Sequence, residues 1–98
     1  MVSGRTDGLD LELLASLHDM ADALTFRVHI NSGFRPEDEG EHGLALAADI
    51  AVVGGWQRRR LVEEALPRFP RIGVYDKHIH VGIDKTRPNP VLWVGISR

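Results

Sequence analysis

The chain has 98 residues, a net charge of -2, 43% hydrophobic and 27% charged residues, and no cysteine. These values describe a folded globular chain with room for one modest core, so we predict a single domain over residues 1–98. The small negative charge gives no electrostatic reason to expect nucleic acid or an anionic membrane as a partner. The absence of cysteine excludes disulfides and thiolate metal sites. No apolar run approaches the roughly 18 residues that a membrane span needs.

In chain order, the first predicted element is a helix over residues 10–24, because its apolar residues recur at helical spacing and Asp10 is a suitable N-cap. Residues 26–31 alternate between apolar and polar, which predicts a half-buried strand with Val28 and Ile30 facing inward. Turn formers and acidic residues predict a loop over 31–43. A second strand is expected over 44–53, ended by two glycines.

The second half begins with a predicted helix over 56–69, whose expected inner side consists of Trp56, Leu61, Val62, Ala65 and Leu66. Residues 71–75 and 78–83 predict a hairpin that turns at Asp76 and Lys77. A loop over 86–90 leads to a last strand over 91–96. Trp93 on that strand is expected in the core, with the floor of a ligand groove as the alternative. The predicted fold is α+β, a small, mainly antiparallel sheet with helices packed on one face.

Asp49 raises a charge problem in the second strand. Period-two alternation sets it on one strand face between Ala47 and Ala51, and a buried, unpaired carboxylate costs several kcal/mol. His78 and His80 share one face of a later strand, and His42 stands just before the Asp49 strand, so a metal site or a proton-transfer role is suggested. Two alternatives stay open: an ordinary ion pair with an arginine, and histidines that only form hydrogen bonds. No short zinc motif such as H-E-x-x-H is present.

Three segments in order resemble the M15-type zinc peptidases: "SGFR" at 32–35, "HGLALAAD" at 42–49 and "RIGVYDKHIHV" at 71–81. This family comprises D-alanyl-D-alanine carboxypeptidases, dipeptidases and phage endolysins that cut cell-wall peptides. The resemblance spans roughly residues 10–94, and the His-x-His pattern is also similar to the metal-binding domain of hedgehog signalling proteins. It implies a hedgehog-like or DD-peptidase-like scaffold.

The resemblance implies that His42, Asp49 and His80 are zinc ligands, with a fourth position open for water. It also implies a zinc-dependent hydrolase, of D,D-carboxypeptidase or endopeptidase type, that acts on stem peptides or cross-links of peptidoglycan. Such an enzyme, of phage or bacterial origin, would act at the bacterial cell wall, although the N-terminus lacks the apolar core of a signal peptide. The sequence gives no signal for the oligomeric state.

Arg35 matches the family arginine that stabilises the oxyanion or holds the substrate. Its alternative role is a loop-anchoring salt bridge with Glu37, Asp38 or Glu39. Ser32 belongs to the same motif and is expected to shape the turn near the substrate, because no base is evidently placed to activate it as a nucleophile. Tyr75 is expected either to line the cleft and contact substrate or simply to pack.

The general base is where this chain departs from the family pattern. Many relatives carry a glutamate three residues before the last zinc histidine, but this chain has Lys77 there. Asp76 is the first candidate, with an ordinary turn-forming role as its alternative, and His78 is the second. The rival to an enzyme is therefore a zinc-stabilised binding or structural module of a phage or cell-wall-associated assembly.

Overall fold

The helical stripe and the alternating strands of the sequence both appear in the structure, a computed structural model that describes residues 1–38 and 40–96. Within these residues the chain forms two α-helices, one short 3-10 helix and six strands. In chain order they are β1 (Val2–Gly4), α1 (Leu11–Asp22), β2 (Val28–Ser32), the 3-10 helix (Glu41–Leu44), β3 (Ala47–Ala51), α2 (Gly55–Ala65), β4 (Arg71–Val74), β5 (His78–Gly82) and β6 (Val91–Val94). The predicted α+β class is confirmed, and β1 is a strand that the sequence did not predict.

Helix α1 begins where the sequence predicts it. The Asp10 carboxylate accepts hydrogen bonds from the backbone N–H groups of Glu12 and Leu13, at 2.9 and 3.4 Å. The N–H groups of a first helical turn have no acceptor within the helix. The Asp10 cap supplies one for two of them and so stabilises the start of α1. The stripe on the inner side of the helix is buried and consists of Leu13, Leu17, Met20 and Ala21.

The strands form one mixed sheet in the order β1-β2-β3-β5-β4-β6 among the described residues. The central pairs are antiparallel, but β1 runs parallel to β2 and β6 runs parallel to β4. The prediction of a mainly antiparallel sheet is therefore wrong. At the β1 edge, α1 connects β1 to β2 and provides the long crossover that parallel neighbours require.

Strand β6 runs parallel to β4 for a different reason. One side of β5 is occupied by β3 and the other by β4, so the only edge left on this side of the sheet, among the described strands, is that of β4. Residues 83–90 lead the chain back to the start of β4, where Val91 pairs with Arg71. From that point β6 runs alongside β4 in the same direction.

The core lies between the two helices and one face of the sheet. Strand residues Ile50 and Ile79 belong to the same buried cluster as Leu17 of α1 and Leu61 of α2. Both helices therefore pack on the same sheet face. Because side chains alternate along a strand, the neighbours of these isoleucines, Asp49 and His80 among them, point away from the helices.

Two residues expected on the inner side of α2 are not there. Trp56 is 64% exposed and Leu66 is 56% exposed. Trp56 lies in the first turn of the helix, where its ring contacts Phe26 with centroids 5.4 Å apart. Leu66 is the C-cap and keeps a helical backbone, but it lies about 100° around the helix from the buried Ala65, outside the inner side. The prediction that both residues are in the core is wrong, whereas Leu61 and Ala65 are buried as expected.

Candidate metal centre

The register of β3 and β5 brings the first two site residues together. Asp49 is paired directly with His80, and Ala51 with His78, so all of these side chains stand on the face opposite the helices. The Asp49 Oδ1 atom lies 3.1 Å from His80 Nδ1. The strand face that the sequence predicts for Asp49 is therefore confirmed.

His42 reaches the same point from the 3-10 helix. Its Nδ1 lies 2.8 Å from the carbonyl oxygen of Gly33, which can only accept a hydrogen bond, so the proton of the neutral ring is on Nδ1. The other nitrogen, Nε2, then faces Asp49 Oδ1 at 3.2 Å. Ala45 ends the 3-10 helix in the left-handed region, with φ of 62°, and turns the chain into β3. His42 is thus buried and oriented towards the sheet.

The donor atoms of His42, Asp49 and His80 fit a metal ion. One ligand atom from each residue lies within 4.8 Å of the others. In a tetrahedral zinc site with bonds of about 2.0 Å, two ligands are about 3.3 Å apart, close to the 3.1 and 3.2 Å between Asp49 Oδ1 and the two imidazole nitrogens. Two imidazoles and a carboxylate also suit several other first-row metals. This group could therefore hold a metal ion whose identity the donor set does not fix.

The electrostatics of the group favour a charged Asp49. Burial raises the pKa of this carboxyl group, but the close contacts with the His42 and His80 imidazoles outweigh burial and hold the pKa well below its usual value. For His80, burial lowers the pKa, and the bonds to Asp49 and Glu41 raise it above 6.5. A proton on His80 Nδ1 and a metal ion bound by Asp49 would therefore compete for the same place between the two side chains.

Sequence reasoning missed Glu41, which is buried beside the site. Its Oε1 accepts hydrogen bonds from His80 Nε2 at 3.1 Å and from Arg71 Nε at 2.8 Å. Burial raises the pKa of this carboxyl group, but the bonds from His80 and Arg71 lower it below its usual value. The sequence feature that could have indicated Glu41 is its position directly before His42, a predicted zinc ligand.

The candidate ligands His42, Asp49 and His80 lie at the wall of a cavity of about 450 Å³, whose lining also includes His78, Tyr75 and Trp93. His78 and Tyr75 stack with ring centroids 4.3 Å apart, and His78 Nε2 lies 3.9 Å from Asp49 Oδ1. Trp93 Nε1 donates to the Tyr75 hydroxyl at 2.9 Å. The expectation that Trp93 is a core residue is wrong: it is half-buried and faces the cavity, because β6 joins the sheet beside Gly73, whose missing side chain leaves room for the indole.

Arg35, Ser32 and Asp76 stand in different positions relative to this cavity. Arg35 lines it, and its guanidinium lies 3.4 Å from the Asp38 carboxylate, as the loop-anchoring alternative expects. Glu39, another partner considered for Arg35, lies outside the described residues. Ser32 pairs with Asp49 in the sheet but is not among the described residues that line the cavity. Asp76 is exposed on the β4–β5 turn, also outside that lining, and its carbonyl oxygen accepts a hydrogen bond from Arg58.

Comparison with known proteins gives no family: no family model matches the chain, and no curated protein or solved structure matches it. The M15-type and hedgehog-like assignments therefore rest on the sequence motifs and remain predictions. Neither helix in residues 1–38 and 40–96 has the length and apolar character that crossing a membrane requires.

Proposed function

We propose that this chain is a zinc-dependent hydrolase that cleaves peptide bonds in the stem peptides or cross-links of peptidoglycan. The observation that carries the proposal is the convergence of His42, Asp49 and His80 at the wall of an open cavity. Two histidines and one carboxylate leave a fourth position for water, as in catalytic zinc sites. The substrate class rests on the resemblance of the sequence motifs to M15-type zinc peptidases. A peptidoglycan substrate implies action at the bacterial cell wall.

When bound, zinc would supply a water whose pKa is lowered towards about 7, which can attack an amide carbonyl. The residues around the ligands are suited to the remaining tasks. His78 lies in the cavity within 3.9 Å of Asp49 Oδ1, whereas Asp76 lies on an exposed turn. Since a base must reach the proton it removes, this geometry favours His78 over Asp76 as the proton carrier.

Arg35 and Tyr75 are suited to hold the substrate. Arg35 lines the cavity with a side chain that is 42% exposed, and its contact with Asp38 uses Nη2, so the guanidinium has further N–H groups with which to hold a ligand. The Tyr75 oxygen accepts from Trp93, and within residues 1–38 and 40–96 its O–H donates to no side chain, so it can donate to a ligand in the cavity. A peptide carbonyl or a terminal carboxylate is the matching acceptor.

The second candidate is a zinc-stabilised binding or structural module of a phage or cell-wall-associated assembly. Lys77 at the position where relatives carry a glutamate favours it, as does the exposed position of Asp76. Such a module would retain zinc and bind peptide without hydrolysing it.

Hydrolysis of purified peptidoglycan fragments, followed by mass spectrometry, separates the two candidates. The hydrolase predicts cleavage by the zinc-loaded protein that stops when a chelator removes zinc. In variants that retain zinc, we expect His78→Ala to reduce cleavage by at least about 100-fold, the lower end of a general acid–base contribution, and Asp76→Ala to reduce it little. A zinc-loaded wild-type protein that binds the fragments without cleaving them would support the module.

A further inference from the structure

Glu41 is a buried carboxylate that accepts a hydrogen bond from each of its three partners among the described residues. It is 5% exposed. Its Oε1 accepts from His80 Nε2 at 3.1 Å and from Arg71 Nε at 2.8 Å, and its Oε2 accepts from the Asp84 backbone N–H at 3.4 Å. An ionised carboxylate is acceptor-only, so it suits a position where its three hydrogen-bond partners among the described residues can all donate. A neutral amide would bring a donor against one of these donors.

The contact with Glu41 decides which nitrogen of His80 can bind a metal ion. Both ring nitrogens of His80 face a carboxylate oxygen at 3.1 Å, Nε2 that of Glu41 and Nδ1 that of Asp49. Asp49 is itself a candidate ligand, so a metal ion shared by Asp49 and Nδ1 would leave the one proton of the neutral ring on Nε2, where Glu41 accepts it. If the proton were on Nδ1 instead, Nδ1 would donate it to Asp49 Oδ1. Neither Nδ1 nor that lone pair of Oδ1 would then be available to a metal ion. Metal-bound histidines commonly rely on such an outer carboxylate for their tautomer and orientation.

The surroundings of Glu41 hold the carboxylate in place. A side chain at residue 82 would overlap with the Glu41 carboxylate, so the glycine there leaves the room that it occupies. The Arg71 guanidinium lies over the Trp93 ring, 5.2 Å from its centroid, and hydrogen-bonds to the Pro88 carbonyl oxygen. Arg71 is therefore fixed from both sides, and it fixes Glu41 in turn.

We propose that Glu41 is a positioning residue that keeps the proton of His80 on Nε2 and presents Nδ1 to the metal ion. This role rests on the zinc site proposed above. It is independent of the reaction, because it concerns how the ligand is oriented before any substrate binds.

Zinc affinity, measured by competition with a chromogenic chelator, tests the role of Glu41. We expect Glu41→Gln to bind zinc about 10- to 100-fold more weakly than the wild type, the range for loss of an outer carboxylate. Glu63→Gln is the matched control, because Glu63 makes the same kind of contact with arginines, Arg59 and Arg60, but on α2. We expect its zinc affinity to equal that of the wild type. A Glu41→Gln variant with wild-type affinity would overturn the role while the zinc site stands.

Nuclear magnetic resonance of the ¹⁵N-labelled, zinc-loaded wild type gives a readout that does not depend on any variant folding. The ring nitrogens of His80 should show zinc on Nδ1 and a proton on Nε2 that exchanges slowly with water. Binding through Nε2 would overturn the role of Glu41 even if Glu41→Gln did not fold. A wild type that binds no zinc at all would overturn the proposed function, and the positioning role with it. The two failures are thus distinguished by the wild type alone.

Discussion

At the scale of single residues, the site depends on close contacts that leave no space for an added methyl group. Strand β5 ends at Gly82, which faces the carboxylate of Glu41. The φ angle of Gly82 is not positive, so this glycine is required by packing and not by its backbone conformation. The space above it is what allows Glu41 to reach His80.

Replacing Gly82 with alanine should destabilise the protein by about 1–3 kcal/mol, because the new methyl group must displace a buried, hydrogen-bonded carboxylate. Gly55→Ala is the matched control: nothing lies within 4 Å of an added Cβ at Gly55, and the residue is helical. We expect this control to be neutral or stabilised by up to about 1 kcal/mol. Urea unfolding measures both changes. Equal stabilities for the two variants would contradict the proposed contact.

Protonation of single side chains predicts how the stability of the metal-free protein depends on pH. The pKa of His80 is raised above 6.5 in the fold, so charged His80 stabilises the fold below about pH 6.5. This contribution is lost as the pH rises through the raised pKa. The pKa of Asp49 is lowered, so its contribution is present above about pH 4 and is lost as the pH falls through the lowered value.

With a chelator present, we therefore expect the free energy of unfolding to fall as the pH rises above about 6.5. With saturating zinc the direction should reverse, because zinc and the proton compete for His80 Nδ1 and zinc wins as the pH rises. Urea unfolding at a series of pH values checks both profiles. Metal-free His80→Asn is the control that should lack the fall. Identical profiles with and without zinc would contradict this account of His80.

At the scale of elements, the sequence predicted most of what local chemistry controls. The start of α1 at its Asp10 cap, the alternation of β2 and the β4–β5 hairpin are all confirmed. Each depends on residues that are close in sequence. Trp56 was misplaced for a reason that the sequence already contains: it precedes the buried Leu61 by five residues, which sets it about 140° around the helix from the inner side.

The cap of α1 gives a prediction of its own. Asp10→Ala should lower the free energy of unfolding by about 0.5–2 kcal/mol, because two backbone N–H groups lose their acceptor. Asp22→Ala, at the opposite end of the same helix, removes an exposed carboxylate near the negative end of the helix dipole. This control should be neutral or slightly stabilising. Thermal unfolding followed by circular dichroism compares the two, and an unstable Asp22→Ala beside an unaffected Asp10→Ala would reject the cap.

At the scale of the whole molecule, strand order and long-range contacts were the parts that the sequence did not predict. The parallel pairing of β6 depends on which sheet edge is free after β3, β4 and β5 have paired, and no local pattern carries that information. Trp93 faces the cavity as a result of this pairing. Similarly, Glu41 is 39 positions from His80 in sequence, and only the sheet brings them within hydrogen-bonding distance.

The ligand set stays a prediction that rests on motif resemblance, and the structure brings its three members together as a group that could hold a metal ion. His42, Asp49 and His80 come from separate segments that meet on one sheet face. Alternation along β3 and β5 was enough to predict the faces of Asp49 and His80. The approach of His42 depends on the hydrogen bond from its Nδ1 to Gly33, which sequence spacing does not reveal.

Zinc binding by His42, Asp49 and His80 is tested by the zinc content of the purified protein, measured by elemental analysis after zinc is offered and excess metal is removed. We expect about one zinc per chain for the wild type and a loss of zinc in His80→Ala, since one of three protein ligands is removed. His29→Ala is the matched control, because His29 is an exposed strand histidine whose Nδ1 contacts Ser3 Oγ, and it should retain zinc. A wild type that stays metal-free, or a His80→Ala variant that keeps its zinc, would contradict the account.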